Sequence, residues 1–405
     1  MKHVAFYTLG CKVNSYETGA MAAAFVARGY SVVDFSESAD IYIINTCTVT
    51  STGDKKSRQI VRRARRNNPT ALVAVVGCYS QVDPEAARAI PGVDIVAGTS
   101  ARANIVDIIE DHIPAHNIIS TKYEPFEGSH SDRTRAIIKI QDGCDSFCSY
   151  CIIPYARGRS RSRDSKSILD EINLIANSGF REVVLVGIHL ASFKPSLISL
   201  LEEIHKIDGI ERIRLGSLSQ SLITEAFADA LLNLPKVCPH FHVSLQSGCN
   251  KTLAAMNRKY TIEEYIESIN FLRRIPDAAI TTDIIAGFPG ETDADFEESL
   301  YHVEKCAFAD IHVFPFSRRK GTRAYEMSHQ IPSTVREERA AKLIELGQNM
   351  RTKFLTNYLG KTVSVLFEDG EGLSPNYIRI KSAGTGIQNV KISEICGDYC
   401  KGKPV

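Results

Sequence analysis

Six of the eleven cysteines fall into two patterned sets suited to holding metal. Cys144, Cys148 and Cys151 stand in one loop, IQDGCDSFCSYCIIPYARG, spaced C-x3-C-x2-C. Thiolates at this spacing wrap three corners of an iron–sulfur cubane, whereas cluster proteins ordinarily supply four, so one iron is left open. An open iron is a Lewis acid that an amine and a carboxylate on one molecule can chelate, as the methionyl part of S-adenosylmethionine would. Reduction of the cluster could then cleave the bound sulfonium, the protein positioning and shielding the product. Zinc is the competing occupant of short cysteine spacings, but no fourth ligand of C-x2-C or H-x3-H type lies nearby. Tyr150, between the last two thiols, either packs on the cofactor's adenine or is a plain core aromatic.

Cys11, Cys47 and Cys78 are far apart in sequence, yet each closes an apolar run: YTLGC, IINTC and VVGC. In an open parallel sheet the loops at the carboxyl ends of the strands gather on one edge, where three distant thiolates can converge on a second cluster. A lone buried cysteine is ordinarily a small hydrophobe; three in the same structural position depart from that pattern. Gly10 and Gly77, each beside a cysteine, suit tight turns and close approach. Cys238, Cys249 and Cys306 read as buried small residues, and Cys396 with Cys400, lacking a histidine partner, are assigned no cluster.

The elements that must position these residues follow from periodicity. Over 1–125, apolar runs alternate with helix-like segments at 15–28 and 55–66, a parallel α/β pattern. Gly29 stops the first helix, Asp83 caps a later one with Pro84 in its first turn, and polar residues 124–133 read as a linker. Over 130–358, six apolar runs (AIIKI, VVLV, RIRL, FHVSL, AAITTDIIA and DIHVF) alternate with helices at 166–177, 197–206, 262–274 and 295–306. That pattern predicts a partial (β/α)6 barrel of TIM type, with active groups at the carboxyl ends of its strands. A helical stretch at 334–358 leads to 359–405, whose short β-rich runs predict a small β-barrel. The fold class is therefore α/β with a small β-barrel at the C-terminus.

Lys and Arg number 48 against 47 Asp and Glu, so no global field directs the chain of 405 residues to nucleic acid or to a membrane. The N-terminus lacks signal-peptide order and no run approaches 18 apolar residues, which predicts a cytoplasmic protein without a membrane partner. Thiols in that reducing compartment ligate metals more readily than they form disulfides. Local basic clusters remain: 55–66, which reads as a solvated helix face; 157–163, RGRSRSR, which reads as a phosphate contact for RNA; and 317–323, SRRKGTR. Tyr377 either stacks on a base or fills the small barrel.

Taken together, LGCKVNSYET, the C-x3-C-x2-C loop, VGIHLASF, HVSLQSGCNKTLAAMNRKYT, TTDIIAGFPGET and HVFPFSRRKGT resemble the methylthiotransferase family of radical S-adenosylmethionine enzymes over nearly the whole chain. The LGCKVN loop resembles the bacterial branch acting on threonylcarbamoyladenosine of tRNA; isopentenyladenosine enzymes carry a GCQMN-like loop and ribosomal-protein enzymes an LGCPKN-like loop. The resemblance implies two [4Fe-4S] clusters, S-adenosylmethionine, a tRNA substrate, a flavodoxin or ferredoxin as electron donor, and a TRAM-like RNA-binding barrel at the C-terminus. It implies cleavage of S-adenosylmethionine to a 5′-deoxyadenosyl radical and transfer of a methylthio group, assembled on the auxiliary cluster, to carbon two of the base. Gly187, Gln246, Ser247 and Gly287 become cofactor contacts on this resemblance, although strand-end glycines are also ordinary turn residues. Where the family continues Glu-Pro after RLGSL, this chain has Ser219 and Gln220, so no carboxylate role is carried over. The alternatives are methylthiolation of isopentenyladenosine or of a ribosomal protein, and, in another class, a non-catalytic iron–sulfur RNA-binding protein. Three-ligand sets argue against the last, because a purely structural cluster gains nothing from an open iron.

Overall fold

Runs that are apolar on both faces belong to sheets covered by helices on both sides. Ile41–Thr46 is such a run, buried at every residue. It is the middle strand of five parallel strands in the order Ser31–Val33, His3–Thr8, Ile41–Thr46, Leu72–Gly77, Ile95–Ala97. Met21 and Phe25 of helix Lys12–Ala27 pack with Ile43 and Val76 on one face, and Val61 and Ala64 of helix Ser51–Asn67 with Tyr42 and Val75 on the other. Gly29, at φ +85°, ends the first helix, and the Asp83 side chain accepts from the Ala86 amide to cap Pro84–Arg88. The computed structural model describes residues 2–48, 51–111 and 134–405, with side chains 51–55 excepted; the expected linker at 124–133 lies outside the described residues.

All six expected barrel strands form: Arg135–Lys139, Glu182–Val186, Arg212–Leu215, His240–His242, Ala279–Ala286 and Asp310–Pro315. They pair in parallel as two sets of three, linked by the bridges Ile213 to Val237 and Leu218 to Val243. Among the described residues no pairing joins the first strand to the last, so the barrel is open along that seam. Side chains alternate across each strand. Ile138, Val183, Leu185, Ile213, Phe241, Ile280 and Ile284 face out beneath helices such as Ser165–Asn177, Leu197–His205 and Ile262–Leu272. The alternate positions, including Ile137, Val184, Arg214, His240, His242, Asp283 and His312, therefore face the lumen.

Helix Ser333–Thr356 leads to a closed barrel of five strands, filled by Val365, Phe367, Ile378, Ile380, Val390 and Ile392. A turn of this barrel enters the floor of the larger one. Arg212 donates to the Leu373 carbonyl (2.9 Å) and Arg214 to the Pro375 carbonyl (2.8 Å). Tyr377, at φ +67°, does not fill the small barrel as one expectation had it: its ring stacks on His240 with centroids 4.4 Å apart. The left-handed turn swings the side chain out of the small barrel and into the large one. No helix among the described residues is long and apolar enough to cross a membrane.

Candidate functional site

Cys11, Cys47 and Cys78 follow three strands that are neighbours in the sheet, and this adjacency gathers them on its carboxyl edge. Cys11 is the N-cap of helix Lys12–Ala27, so its loop is anchored directly to the helix start. Gly10 has φ +110°, and a Cβ there would stand 2.8 Å from Cys47 Cβ and 3.1 Å from its Sγ. The loops carrying Cys11 and Cys47 thus meet only because Gly10 has no side chain. Gly77, at φ +100°, has the same role toward Asn45 and Thr46. Asn14 staples the two loops, its Nδ2 donating to the carbonyls of Leu9 (2.8 Å) and Thr46 (3.1 Å).

The second set sits above the first barrel strand. Gly143, at φ +71°, lies against the Arg159 carbonyl, which a Cβ would approach to 2.0 Å, and the Cys144 amide donates to Gly158 (3.1 Å). From the far side of the barrel, Met256 and Asn257 hold the loop: the Ser149 amide donates to the Met256 carbonyl (2.9 Å) and Asn257 Nδ2 to that of Phe147 (3.0 Å). Arg258 Nη1 points at Cys148 Sγ from 3.4 Å. Burial raises the thiol pKa of Cys78 and pushes that of Cys151 up to about 12, so without metal these groups are protonated at neutral pH and loading must displace protons.

Zinc does not fit either set. A tetrahedral ion with thiolates at 2.3 Å requires sulfurs about 3.8 Å apart. Among the described residues, the one trio of possible ligands whose donor atoms all lie within 4.8 Å is His242, Asp283 and His312. Both cysteine sets are wider, though close enough for Cys78 to feel Cys11, and Cys151 to feel Cys148 and Cys144. A spread above that limit is wider than one tetrahedral ion takes and leaves room for a multi-iron cluster.

One buried network joins the two cysteine sets. Glu17, one turn after Asn14 on the first helix, accepts from Lys139 Nζ (2.7 Å), Arg157 Nη1 (3.0 Å) and Arg102 Nη2 (3.0 Å). Arg157, just past the C-x3-C-x2-C loop, also donates to Asn14 Oδ1 (2.6 Å) and Asp142 (3.0 Å), and Arg161 pairs with Asp142 (3.1 Å). Burial alone would raise the Glu17 pKa, but Arg102, Arg157 and Lys139 bring it down from 4.5 to about 2. Four cations surround two carboxylates, and Arg157 and Arg102 both act on Cys78. That surplus positive charge would offset an anionic cluster held by three thiolates.

Residues 138–302 match the radical SAM superfamily, and residues 3–98 match an uncharacterized protein family, UPF0004. The chain is 40% identical to the threonylcarbamoyladenosine tRNA methylthiotransferase MtaB of Bacillus subtilis, covering 100% of this chain and 96% of that one. The chain belongs to the radical S-adenosylmethionine methylthiotransferase family. The MtaB protein of Aquifex aeolicus is 38% identical, over 94% of this chain and 97% of its own. The tRNA-2-methylthio-N(6)-dimethylallyladenosine synthase of Pelotomaculum thermopropionicum is 34% identical, over 95% and 90%. The fold is also similar to a solved radical S-adenosylmethionine methyltransferase, TsrM from Kitasatospora setae, at 17% identity and a TM-score of 0.60, covering 77% of this chain and 73% of that one. Membership of the methylthiotransferase family makes this chain a transferase that works with [4Fe-4S] iron–sulfur chemistry and S-adenosylmethionine.

The expected cofactor contacts of a methylthiotransferase rim the upper barrel. Gly187 has no room for a side chain, since a Cβ would meet Gln141 Oε1 at 2.9 Å, and Gln141 in turn ties the Gly143 carbonyl (2.8 Å) to the His189 amide (2.8 Å). Gln246 adopts φ +73° and bridges to strand Ala279–Ala286, with the buried Ser247 beside it. Gly287 packs against Arg336 and donates its amide to Glu291 (3.2 Å). Tyr150 lies edge-on to Phe288, centroids 6.5 Å apart, in an apolar cluster with Met256 and Phe316. Ser219 and Gln220, where the family pattern has Glu-Pro, point elsewhere: Gln220 donates to Ser268 (2.9 Å).

The phosphate-contact reading of residues 157–163 is overturned. Arg157 is fully buried, Arg161 and Arg163 are held by Asp142 and Glu171, and only Arg159 among the four arginines is exposed. Their carboxylate partners, one of them 140 residues distant, claim them for the interior. In the segment 317–323, Arg319 is buried while Arg318, Lys320 and Arg323 are exposed. Sequence reasoning missed Asn14, Glu17 and the trio His242, Asp283 and His312. The spacing of Asn14 and Glu17, one turn apart on an otherwise apolar helix face, is the signal that could have found the first two.

Proposed function

We propose that this enzyme methylthiolates carbon two of threonylcarbamoyladenosine beside the anticodon of tRNA. The observation that carries the reading is the pair of three-cysteine sets tied to each other through the buried Glu17 and Arg157. In it Cys144, Cys148 and Cys151 hold the cluster that binds S-adenosylmethionine, and Cys11, Cys47 and Cys78 hold the auxiliary cluster. When bound, these groups supply the electron that cleaves the sulfonium and the sulfur and methyl that are transferred. Tyr150, Gly187, Gln246, Ser247 and Gly287 line the cofactor's place at the upper rim. The chain's own contribution is positional: Arg258 fixes the Cys148 side of one loop, Asn14 fixes the Cys11 loop, and Val13 packs on Val184 and Val186 to close that side of the lumen to water.

In the same reading residues 1–125 carry the auxiliary cluster, 130–358 form the radical core and 359–405 a TRAM-like RNA-binding barrel. Exposed Arg318, Lys320 and Arg323 hold tRNA phosphates, a cytoplasmic flavodoxin or ferredoxin supplies electrons, and the cytoplasm is the working compartment. The curated relatives named for threonylcarbamoyladenosine support the substrate. The test is anaerobic reconstitution with iron and sulfide, incubation with reductant, S-adenosylmethionine and tRNA bearing threonylcarbamoyladenosine, and mass spectrometry of the nucleosides. A methylthio product is expected. An unchanged base with accumulating 5′-deoxyadenosine would refute the substrate, and neither product would refute the catalytic reading.

A further inference from the structure

The lumen has two unlike walls. On the first two strands Ile137, Val184 and Val186, with Ile188, form an apolar patch against Val13. Opposite, on the last three strands, stand His242, Asp283 and His312. Asp283 bridges the histidines, with His242 Nε2 at 3.1 Å from one carboxylate oxygen and His312 Nδ1 at 3.3 Å from the other, and the two imidazoles stack with centroids 5.4 Å apart. The second nitrogen of His242 meets Thr281 Oγ1 at 2.9 Å. His312 Nε2 has no partner among the described residues, and the side chain is 56% exposed. The carboxylate of Asp283 raises the His312 pKa, favouring the imidazolium.

A second cation approaches from the N-terminal sheet. Lys12, adjoining Cys11, places Nζ 6.0 Å from the ring of Tyr377 and acts electrostatically on both His240 and His312. It has no carboxylate partner among the described residues, whereas most lysines and arginines around the barrel do. His312 and Tyr377 also line a cavity of about 530 Å³ at the open seam, whose wall also carries Arg135, Arg351 and Arg379 together with Asp310, Asp398 and three further carboxylates of the small barrel.

Resting on the reading above, we propose that Lys12 and His312, with Asp283 and His242 orienting the imidazole, form the pocket for the carboxylate-bearing ureido substituent of the substrate adenine. The two cations meet the carboxylate, and Asp283 accepts from the hydroxyl or ureido N–H groups. Because Lys12 follows Cys11 directly, a substituent held there lies beside the auxiliary cysteines. The same pocket rejects an apolar alkenyl substituent, which would strip water from Lys12 and His312 and return no hydrogen bond.

The test titrates the reconstituted enzyme, without reductant, with three otherwise identical anticodon stem-loops whose target adenosine carries threonylcarbamoyl, isopentenyl or nothing. Charge-assisted hydrogen bonds of this kind are expected to make the threonylcarbamoyl RNA bind about ten- to hundredfold tighter than the unmodified one. Lys12→Met and His312→Leu should each remove most of that preference at unchanged affinity for unmodified RNA, while Lys12→Arg and His312→Gln restore part of it; iron content confirms that each variant is loaded. Preference retained in both Lys12→Met and His312→Leu, or an equal loss for unmodified RNA, overturns the proposal. So does a divalent ion that elemental analysis finds in the wild type and not in His312→Leu, since the trio would then be a metal site. Failure of the wild type to methylthiolate the threonylcarbamoyl RNA refutes instead the function on which the proposal rests.

Discussion

Glu17→Gln keeps the shape of the side chain and removes its charge, leaving Lys139 and Arg157 to share Asp142 and Arg102 with no carboxylate partner among the described residues. Glu17 is 2% exposed. Depression of its pKa from 4.5 to about 2, at about 1.4 kcal/mol for each tenfold in protonation, corresponds to about 3 kcal/mol of native-state stability. Breaking a buried ion pair by removing one partner costs about 3–5 kcal/mol, the same range. The chain has no tryptophan, so urea unfolding of the full-length protein is followed by far-UV circular dichroism. We expect a loss of about 3 kcal/mol in Glu17→Gln and lower iron occupancy at both cysteine sets, because the network ties one loop to the other. A carboxylate whose folded pKa is depressed contributes its stability above the unfolded value, and that contribution is lost as pH falls. Metal-free wild type should therefore lose about 3 kcal/mol between pH 4.5 and pH 2, and Glu17→Gln should lack this component. A variant within about 0.5 kcal/mol of wild type at neutral pH, or an unaltered acid profile, would refute the reasoning.

Replacing Cys144, Cys148 and Cys151 together by Ala should abolish cleavage of S-adenosylmethionine and leave roughly half the iron, on the auxiliary set; unchanged cleavage would sink the assignment. Gly143→Ala should cost about 1–3 kcal/mol for the left-handed backbone alone, plus the displacement of Arg159 that its Cβ demands, and iron per chain should fall accordingly. Wild-type iron content in that variant would show that the loop tolerates rebuilding. Combined replacement of Arg318, Lys320 and Arg323 by Ala should lower tRNA affinity without regard to the modified base and reduce the slope of log affinity against log salt by about 2. An unaltered slope would place the phosphate contacts elsewhere.

Local pattern alone determined much of this protein. Apolar runs buried by helices declared all six barrel strands, and the strand-end positions of Cys11, Cys47 and Cys78 already implied one edge of a parallel sheet. Gly29 and Asp83 act through neighbours within a few residues, so their roles as helix stop and cap were legible too. Helices Glu225–Leu232 and Asn250–Ala255 were not, being only about two turns long. Tertiary structure decided whatever depended on a distant partner. Arg157 follows the second cysteine loop in a run resembling a phosphate-binding patch, yet its carboxylate is 140 residues away on the first helix. Asp283 looks like one more polar residue in a strand until parallel pairing sets it beside His312 and His242 nearby. Tyr377 belongs in sequence to the small barrel and in space to the floor of the large one. Hydrophobic periodicity is written into each segment, whereas charge pairing and aromatic stacking depend on which segments meet, and only folding settles that.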